Sequence, residues 1–206
     1  MSDTNSIKIG MFGGGGVGKT CITLRYLKGE FSEGYIPTIE DEFSKTIEVD
    51  GKTIPLVVVD TAGQDDFSEM RFSYFGQVQA FVFVMDISNP SSIDDLKNIY
   101  KDAKDAVDNE IIGVIAANKA DLRQEGRTDL VSRDEYKNLE DELHCKVFET
   151  SAKENTNIDE IYLEIVRKLL NKPKSGSSPE AKKTEKSSGS KKEKEGGDEG
   201  GCCNIA

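Results

Sequence analysis

Gly13-Gly14-Gly15-Gly16-Val17-Gly18-Lys19-Thr20 follows the spacing G-x-x-x-x-G-K-[ST]. Those residue types suit phosphate chemistry. Glycine backbones let successive N–H groups wrap an anion at a helix N-terminus, where the helix dipole also favours negative charge. Lys19 then reaches the outer phosphates and the Thr20 hydroxyl ligates Mg²⁺. The pattern carries this meaning only between a strand and a helix. Ile7–Phe12 alternates like a short buried strand, and Cys21–Leu27 reads as a helix with an apolar face.

Three further polar groups fall after apolar runs. Asp60-Thr61-Ala62-Gly63-Gln64 follows the run Leu56–Val59. A carboxylate there is costly to bury unless it meets a cation or a donor, and Mg²⁺ fits, directly or through water. Gly63 can bring a backbone N–H close to a terminal phosphate, and Gln64 has the side chain to orient an attacking water. Asn118-Lys119-Ala120-Asp121 ends the run Ile111–Ala117. Guanine offers two neighbouring donors, N1–H and the 2-amino group, which one carboxylate at Asp121 can accept together; adenine lacks the pair. Lys119 can lay its stem along a base plane, and Ala152, within Ser151-Ala152-Lys153, can offer a backbone N–H to the guanine oxygen.

The elements that must hold these groups alternate between strand and helix. Strands are expected at 7–12, 43–49, 54–59, 80–85, 111–117 and 146–150, with a hairpin turn at Asp50-Gly51 and Pro55 near a strand end. The long polar stretch from Phe31 to Phe43 reads as a functional loop, and Asp65–Gln77 as weakly helical. Ser91 or Ser92 can cap a helix with Ile93, Leu96, Tyr100, Ala103 and Val107 on one face. Capping signatures precede two more helices: Ser132 with Glu135, running to about Leu143, and Asn157 with Glu160, leading Ile158, Ile161, Tyr162, Ile165 and Leu169. The expected fold is α/β: a P-loop NTPase-type, mainly parallel six-stranded sheet with one antiparallel hairpin strand and helices on both faces. Ligands bind such sheets beyond the carboxyl ends of the strands, where all of these motifs fall.

Taken in order, Gly13–Thr20, Tyr35–Asp41, Asp60–Gln64, Asn118–Asp121 and Ser151–Lys153 resemble a small GTPase of the Ras superfamily over about residues 7–170. Tyr35-Ile36-Pro37-Thr38-Ile39-Glu40-Asp41 is similar to the effector loop of the Ras and Rap branch, and Gln64 favours Ras proper. The resemblance implies GTP, GDP and Mg²⁺ as ligands. It assigns nucleotide contacts to Gly13, Gly15, Gly16, Val17, Gly18, Lys19, Thr20, Cys21, Phe31, Tyr35, Thr38, Asp60, Gly63, Asn118, Lys119, Asp121, Ser151, Ala152 and Lys153. Thr20, Thr38 and Asp60 would serve the metal; Gln64, Lys19, Thr38 and Gly63 would serve hydrolysis; Phe31 would pack edge-on against guanine.

Residues 33–43 and 60–77 would be the two switch segments, ordered by GTP and released after hydrolysis. A side chain at Gly15 would intrude on Gln64 and on an arginine supplied in trans. Effectors would meet Tyr35, Ile36, Pro37, Thr38, Ile39, Glu40, Asp41, Glu42 and Phe43, and a basic ubiquitin-like domain adding its own strand suits that acidic edge. Gly14 stands where Ala is usual, and Ile36, Glu42 and Phe43 depart from the family pattern outside the pocket, so effector choice stays open. The implied partners are an exchange factor, an activating protein that supplies an arginine finger, and such an effector. With no arginine between Glu33 and Phe43, an internal finger in that loop is excluded. Two other classes use the same loop: a binding-only guanine-nucleotide switch or scaffold with negligible hydrolysis, and a nucleotide kinase. The second needs an Arg-rich lid, and only six unclustered Arg occur.

Length and charge agree with one domain and an appendage. The chain has 206 residues, 36% hydrophobic and 32% charged. From Asn171 to Ala206 there is no aromatic residue and a single Ile, too little apolar surface to offset the entropy of ordering. Expected domains are therefore a GTP-binding domain over 1–170 and a disordered tail over 171–206. The tail carries 8 Lys against 6 acids, which leaves 19 basic and 32 acidic residues in 1–170. So acidic a body argues against nucleic acid as a partner and for basic protein partners. The resemblance to small GTPases implies a protein that is monomeric in solution.

Met1-Ser2-Asp3-Thr4 carries no apolar h-region and Ser2 stands where myristoylation needs glycine, so neither secretion nor myristoylation is expected; no apolar run approaches the ~20 residues that span a bilayer, and the four Cys form no metal or disulfide pattern. Cys203-Asn204-Ile205-Ala206 fits C-a-a-X, with the terminal Ala favouring farnesyl; Cys202 could take palmitate. Adjacent cysteines also resemble some doubly geranylgeranylated endings, so the lipid stays open. Lys182–Lys194 holds six Lys against Glu185 and Glu193 and can assist on an anionic leaflet. The expected location is the cytoplasmic face of the plasma membrane or endomembranes. His144, the single histidine, is expected in an exposed loop without chemistry.

Overall fold

Runs such as Ala80–Asp86, buried at every position, can only sit between two covered faces. The computed structural model describes residues 6–32, 34, 38, 40–63, 68–107 and 110–172. Six strands, Ile7–Phe12 (β1), Glu40–Val49 (β2), Lys52–Thr61 (β3), Ala80–Asp86 (β4), Gly113–Asn118 (β5) and Lys146–Glu149 (β6), form one sheet in the order β2-β3-β1-β4-β5-β6. Only β2 runs antiparallel to its neighbour; every other pairing is parallel. The helices are Lys19–Lys28 (α1), Ser68–Phe75 (α2), Ser91–Ala106 (α3), Arg133–Leu143 (α4) and Ile158–Asn171 (α5).

The pleat divides the core. Ile9, Met11 and Val82 face α1 and α5, meeting Ile22, Tyr26, Ile161, Tyr162 and Ile165. The Tyr26 and Tyr162 rings stack there with centroids 3.7 Å apart. Phe12, Phe81, Phe83 and Ile115 face α2, α3 and α4, meeting Phe75, Leu96, Ile99 and Leu139. Each such buried side chain contributes roughly 1.5–3 kcal/mol.

Several expectations shift by a few residues for clear reasons. β2 begins at Glu40 rather than 43, because its pairing with β3 continues to Thr61. Glu40, Asp41 and Glu42 are therefore strand residues. Pro55 lies inside β3, opposite Thr46, but β1 first pairs at Leu56, so no partner strand on that side asks for its missing donor. Asp50 and Gly51 both adopt positive φ, as a tight hairpin turn requires.

The capping box of Ser132 and Glu135 is present. The other two caps are corrected. Pro90 precedes α3, and the Ser92 hydroxyl donates instead to the Asn89 carbonyl at 2.6 Å. Asn157 adopts a left-handed conformation and its Nδ2 donates to the Glu149 carbonyl at 2.7 Å, leaving no side chain to cap α5. His144 is exposed and closes α4 at positive φ.

Candidate nucleotide site

A cavity of about 630 Å³ opens at the carboxyl ends of β1, β3 and β5, with Gly15, Lys19 and Thr38 at one end and Asn118, Asp121 and Lys153 at the other. Gly18, the residue before α1, has φ 99°, and a Cβ there would collide with the Asn118 side chain. The close approach needs glycine. Gly63 is equally confined, since its Cβ would strike the Gly14 carbonyl and Lys19 Nζ. Gly15 differs: its Cβ would meet only the Gly63 carbonyl, at 3.8 Å. The fold itself accepts a side chain there, so any restriction comes from what must share the cavity.

Lys19 Nζ donates to the Gly13 and Gly14 carbonyls at 2.9 and 2.8 Å. Burial and the nearby Arg71 pull its pKa down against the attraction of Asp60, leaving it at about 8. Asp60 is fully buried at the end of β3. Burial pushes it up to about 6, although the Thr20 hydroxyl and Lys19 oppose this; Asp41 adds to the rise. Thr20 Oγ1 donates to Asp60 Oδ2 at 2.6 Å, so the Thr38 hydroxyl, 2.7 Å away, must donate to Thr20. Asp60 Oδ1 is buried without a hydrogen-bond partner.

That orphaned oxygen tests the fit for Mg²⁺. Asp60, Thr20 and Thr38 bring hard oxygens together beside an unpaired carboxylate atom, a set suited to a small divalent cation whose remaining ligands come from water and substrate phosphate. The residues fit. When bound, the ion supplies positive charge to the phosphate oxygens.

At the other end every recognition group is already tied down. Asn118 Nδ2 donates to the Val17 carbonyl at 2.9 Å, binding the base loop to the phosphate loop. Asn118 Oδ1 accepts the Ala152 N–H at 3.3 Å, the donor expected for a guanine oxygen. The Ser151 hydroxyl donates to Asp121 Oδ1 at 2.6 Å and accepts from the Glu154 N–H at 3.0 Å. Lys119 Nζ pairs with Asp86 Oδ2 at 2.6 Å. This fixes the head of Lys119 and leaves its stem to face the cavity. Phe31 is half-buried, with the Arg25 guanidinium 5.6 Å from its ring centre.

Residues 8–171 match the Ras family. The Ras-like protein rasB of Dictyostelium discoideum is 35% identical over 199 residues, covering 96% of this chain and 98% of that protein. Ras-like protein 1 of Saccharomyces cerevisiae is 35% identical over 167 residues, 81% of this chain and 53% of that protein. The Ras-related protein RAB1BV of Beta vulgaris is 34% identical over 164 residues, 79% of this chain and 75% of that protein.

This chain belongs to the Ras family. As a Ras-family small GTPase it binds GTP and GDP with Mg²⁺, hydrolyses GTP, and acts as a GTP-regulated switch that works with exchange factors, activating proteins and effectors.

Of the residues anticipated from sequence, the structure brings together the phosphate loop, Thr38, Asp60, Gly63 and both base-end motifs. Tyr35, Ile36, Pro37, Ile39, Gln64, Cys202 and Cys203 lie outside the described residues. Two contributors went unread. Arg25 on α1 donates to the Ala152 and Lys153 carbonyls at 2.7 and 2.9 Å, more than a hundred residues away in sequence. Asp86, the partner of Lys119, sits at the end of an otherwise apolar run, the same signal that drew attention to Asp60. No described helix is long and apolar enough to cross a membrane.

Proposed function

We propose that this GTPase is a slow hydrolase that signals from a membrane surface through its β2 edge. The observation that carries the catalytic part is the Thr20, Thr38 and Asp60 cluster beside the buried Lys19, at the mouth of the β1–α1 loop. Lys19 gives up its two carbonyls to bind the outer phosphates. Thr38, whose hydroxyl meets that of Thr20, senses whether a third phosphate is present. Gly63 sits against Gly14 and Lys19; on this reading its N–H serves the same group, while Gln64 orients the attacking water. Asp121, held by Ser151, reads the guanine N1–H and 2-amino donors.

β2 is an edge strand whose Glu40, Asp41 and Glu42 give it acidic character, which suits a basic effector domain that adds a strand. Cys203, with Cys202 or the tail lysines as a second signal, supplies a lipid anchor on the cytoplasmic face of the plasma membrane or an endomembrane. An activating protein contributes an arginine in trans.

The decisive experiment identifies the nucleotide released when purified protein is denatured. Mostly GDP supports a completed turnover, and Gln64→Leu should then release mostly GTP at unchanged stoichiometry. Stoichiometric GTP from the wild type would replace this reading with a binding-only switch. Separately, Cys203→Ser should move the protein from the membrane to the soluble fraction; persistence at the membrane would remove the lipid anchor from the proposal.

A further inference from the structure

Behind the base-reading residues, outside the cavity, lies a polar cluster that the chemistry above does not use. Glu149, at the end of β6, is its centre. Its Oε1 accepts from Arg123 Nε and, at 3.3 Å, from the Tyr136 hydroxyl. Its Oε2 accepts from both Arg133 Nε and Nη2, at 3.1 and 2.7 Å. Its backbone carbonyl accepts from Asn157. Arg123 Nη2 also donates to the Val131 carbonyl at 2.6 Å and to the Tyr136 hydroxyl at 2.8 Å. The Val131 N–H in turn donates to the Ile87 carbonyl at 2.8 Å, just past β4.

The sequence positions give the cluster its meaning. Arg123 is two residues after Asp121, in the short 3-10 turn Ala120–Arg123, and Glu149 is two residues before Ser151. The Arg123–Glu149 bond therefore ties together, from behind, the two segments whose tips meet in the Ser151–Asp121 hydrogen bond. Arg123 and Glu149 are only 25% and 20% exposed, whereas Arg133 is 72% exposed. The inner pair is thus shielded from water and salt, and the outer arm is not. The two arginines, opposing the effect of burial, hold Glu149 below the usual carboxylate range, so the cluster is charged throughout the neutral region.

We propose that Glu149, gripped by Arg123 and Tyr136, is a positioning residue that sets the spacing of Asp121 and Ser151 and so controls guanine retention and selectivity. This rests on Asp121 reading the guanine donors. It touches no nucleotide and acts only through those segments. Loss of the carboxylate leaves the Arg123 fork without its main acceptor, and the Asp121 turn is then free to move away from Ser151.

The test uses full-length protein loaded with fluorescent GDP or fluorescent IDP, which lacks the 2-amino group, and chased with unlabelled nucleotide. Glu149→Gln should speed GDP release about tenfold, equivalent to about 1.4 kcal/mol. IDP release should rise less, so the ratio of the two rates narrows. Single-turnover GTP hydrolysis at saturation should stay within about twofold of wild type. Tyr136→Phe, a milder change that leaves the Arg123–Glu149 pair, should give a smaller acceleration in the same direction, and Arg133→Gln should be close to wild type. Wild-type GDP release in Glu149→Gln overturns the proposal, as does an equal acceleration for GDP and IDP. An Asp121→Asn control that leaves the GDP-to-IDP ratio unchanged would instead overturn the base-reading role beneath it.

Discussion

At the phosphate end of the cleft Asp60 buries an oxygen without a hydrogen-bond partner, and Lys19 is buried, its ammonium donating to two backbone carbonyls. At the base end Asn118, Lys119, Asp121 and Ser151 each have a protein partner already. One end is incomplete without its ligand and the other is complete before the ligand arrives. Buried charge that lacks compensation costs free energy, and a ligand that supplies the compensation recovers it as affinity. The phosphate end therefore provides most of the binding energy and the capacity to respond to the number of phosphates. The base end provides selection from side chains that are already held in place, with only the long Ala152 N–H bond to Asn118 left to exchange for the base.

The sharpest way to break this contrast is to remove the buried cation. Lys19→Met should lower GTP affinity by roughly 10²–10⁴-fold, from two or more lost charge-assisted bonds worth ~1.5–3 kcal/mol each. The same change should stabilise the nucleotide-free protein, because a buried charge is gone. Titration calorimetry and denaturant midpoints measure the two effects, and a destabilised apo protein would contradict the contrast. Asp121→Asn attacks the complete end. It should reduce the preference for GDP over IDP by roughly 10–150-fold, the worth of one bond to a charged group, with little change in apo stability.

pH gives a third handle. Asp60 is raised from 3.8 to about 6 in the fold. The native state holds that proton more tightly than the unfolded chain does, so stability falls as pH rises from 3.8 to about 6 and stays reduced above. Lys19 is lowered from 10.5 to about 8, so the native state sheds its proton first and stability is regained between about 8 and 10.5. The nucleotide-free protein should therefore pass through a stability minimum between pH 6 and 8. Mg²⁺–GDP should erase the minimum, and denaturation midpoints at pH 5, 7 and 9 would measure it. The smallest effect sharpens the comparison by lying outside both ends. Ser132→Ala removes the α4 capping box and should cost about 1 kcal/mol in stability, with nucleotide release unchanged.

The two ends were also unequally legible in the sequence. Gly13–Thr20 and Asp60 announce themselves, because a glycine run at a strand–helix junction and a lone carboxylate after Val57-Val58-Val59 have few other physical explanations. Asn118–Asp121 gained its meaning from falling at a third strand end. The partners that complete the base end were not legible. Arg25 reaches Ala152 across 127 residues, and Glu149 reaches Arg123 across 26, while periodicity reports only neighbours within a turn or a pleat. The mainly parallel sheet, its antiparallel hairpin strand and the helix faces followed from alternation and periodicity, whereas the strand order came only from the structure. Caps failed where a backbone carbonyl outside the helix claimed the capping side chain, as the Glu149 carbonyl claims Asn157 across eight residues and the Asn89 carbonyl claims Ser92 across three.

Arg25 turns α1 into a ruler. The first turn of that helix carries Lys19 and Thr20, and six residues after Lys19 the Arg25 side chain grips the carbonyls of the loop that borders the base. At 1.5 Å of rise per residue the two grips lie about 9 Å apart along a rigid axis. The distance between phosphate and base recognition is thus written in helical pitch, not in flexible loop length. Inserting or deleting one residue between them would swing Arg25 by about 100° around the axis and break the gauge. The count from Lys19 to Arg25 is therefore as fixed as the spacing within the phosphate loop itself.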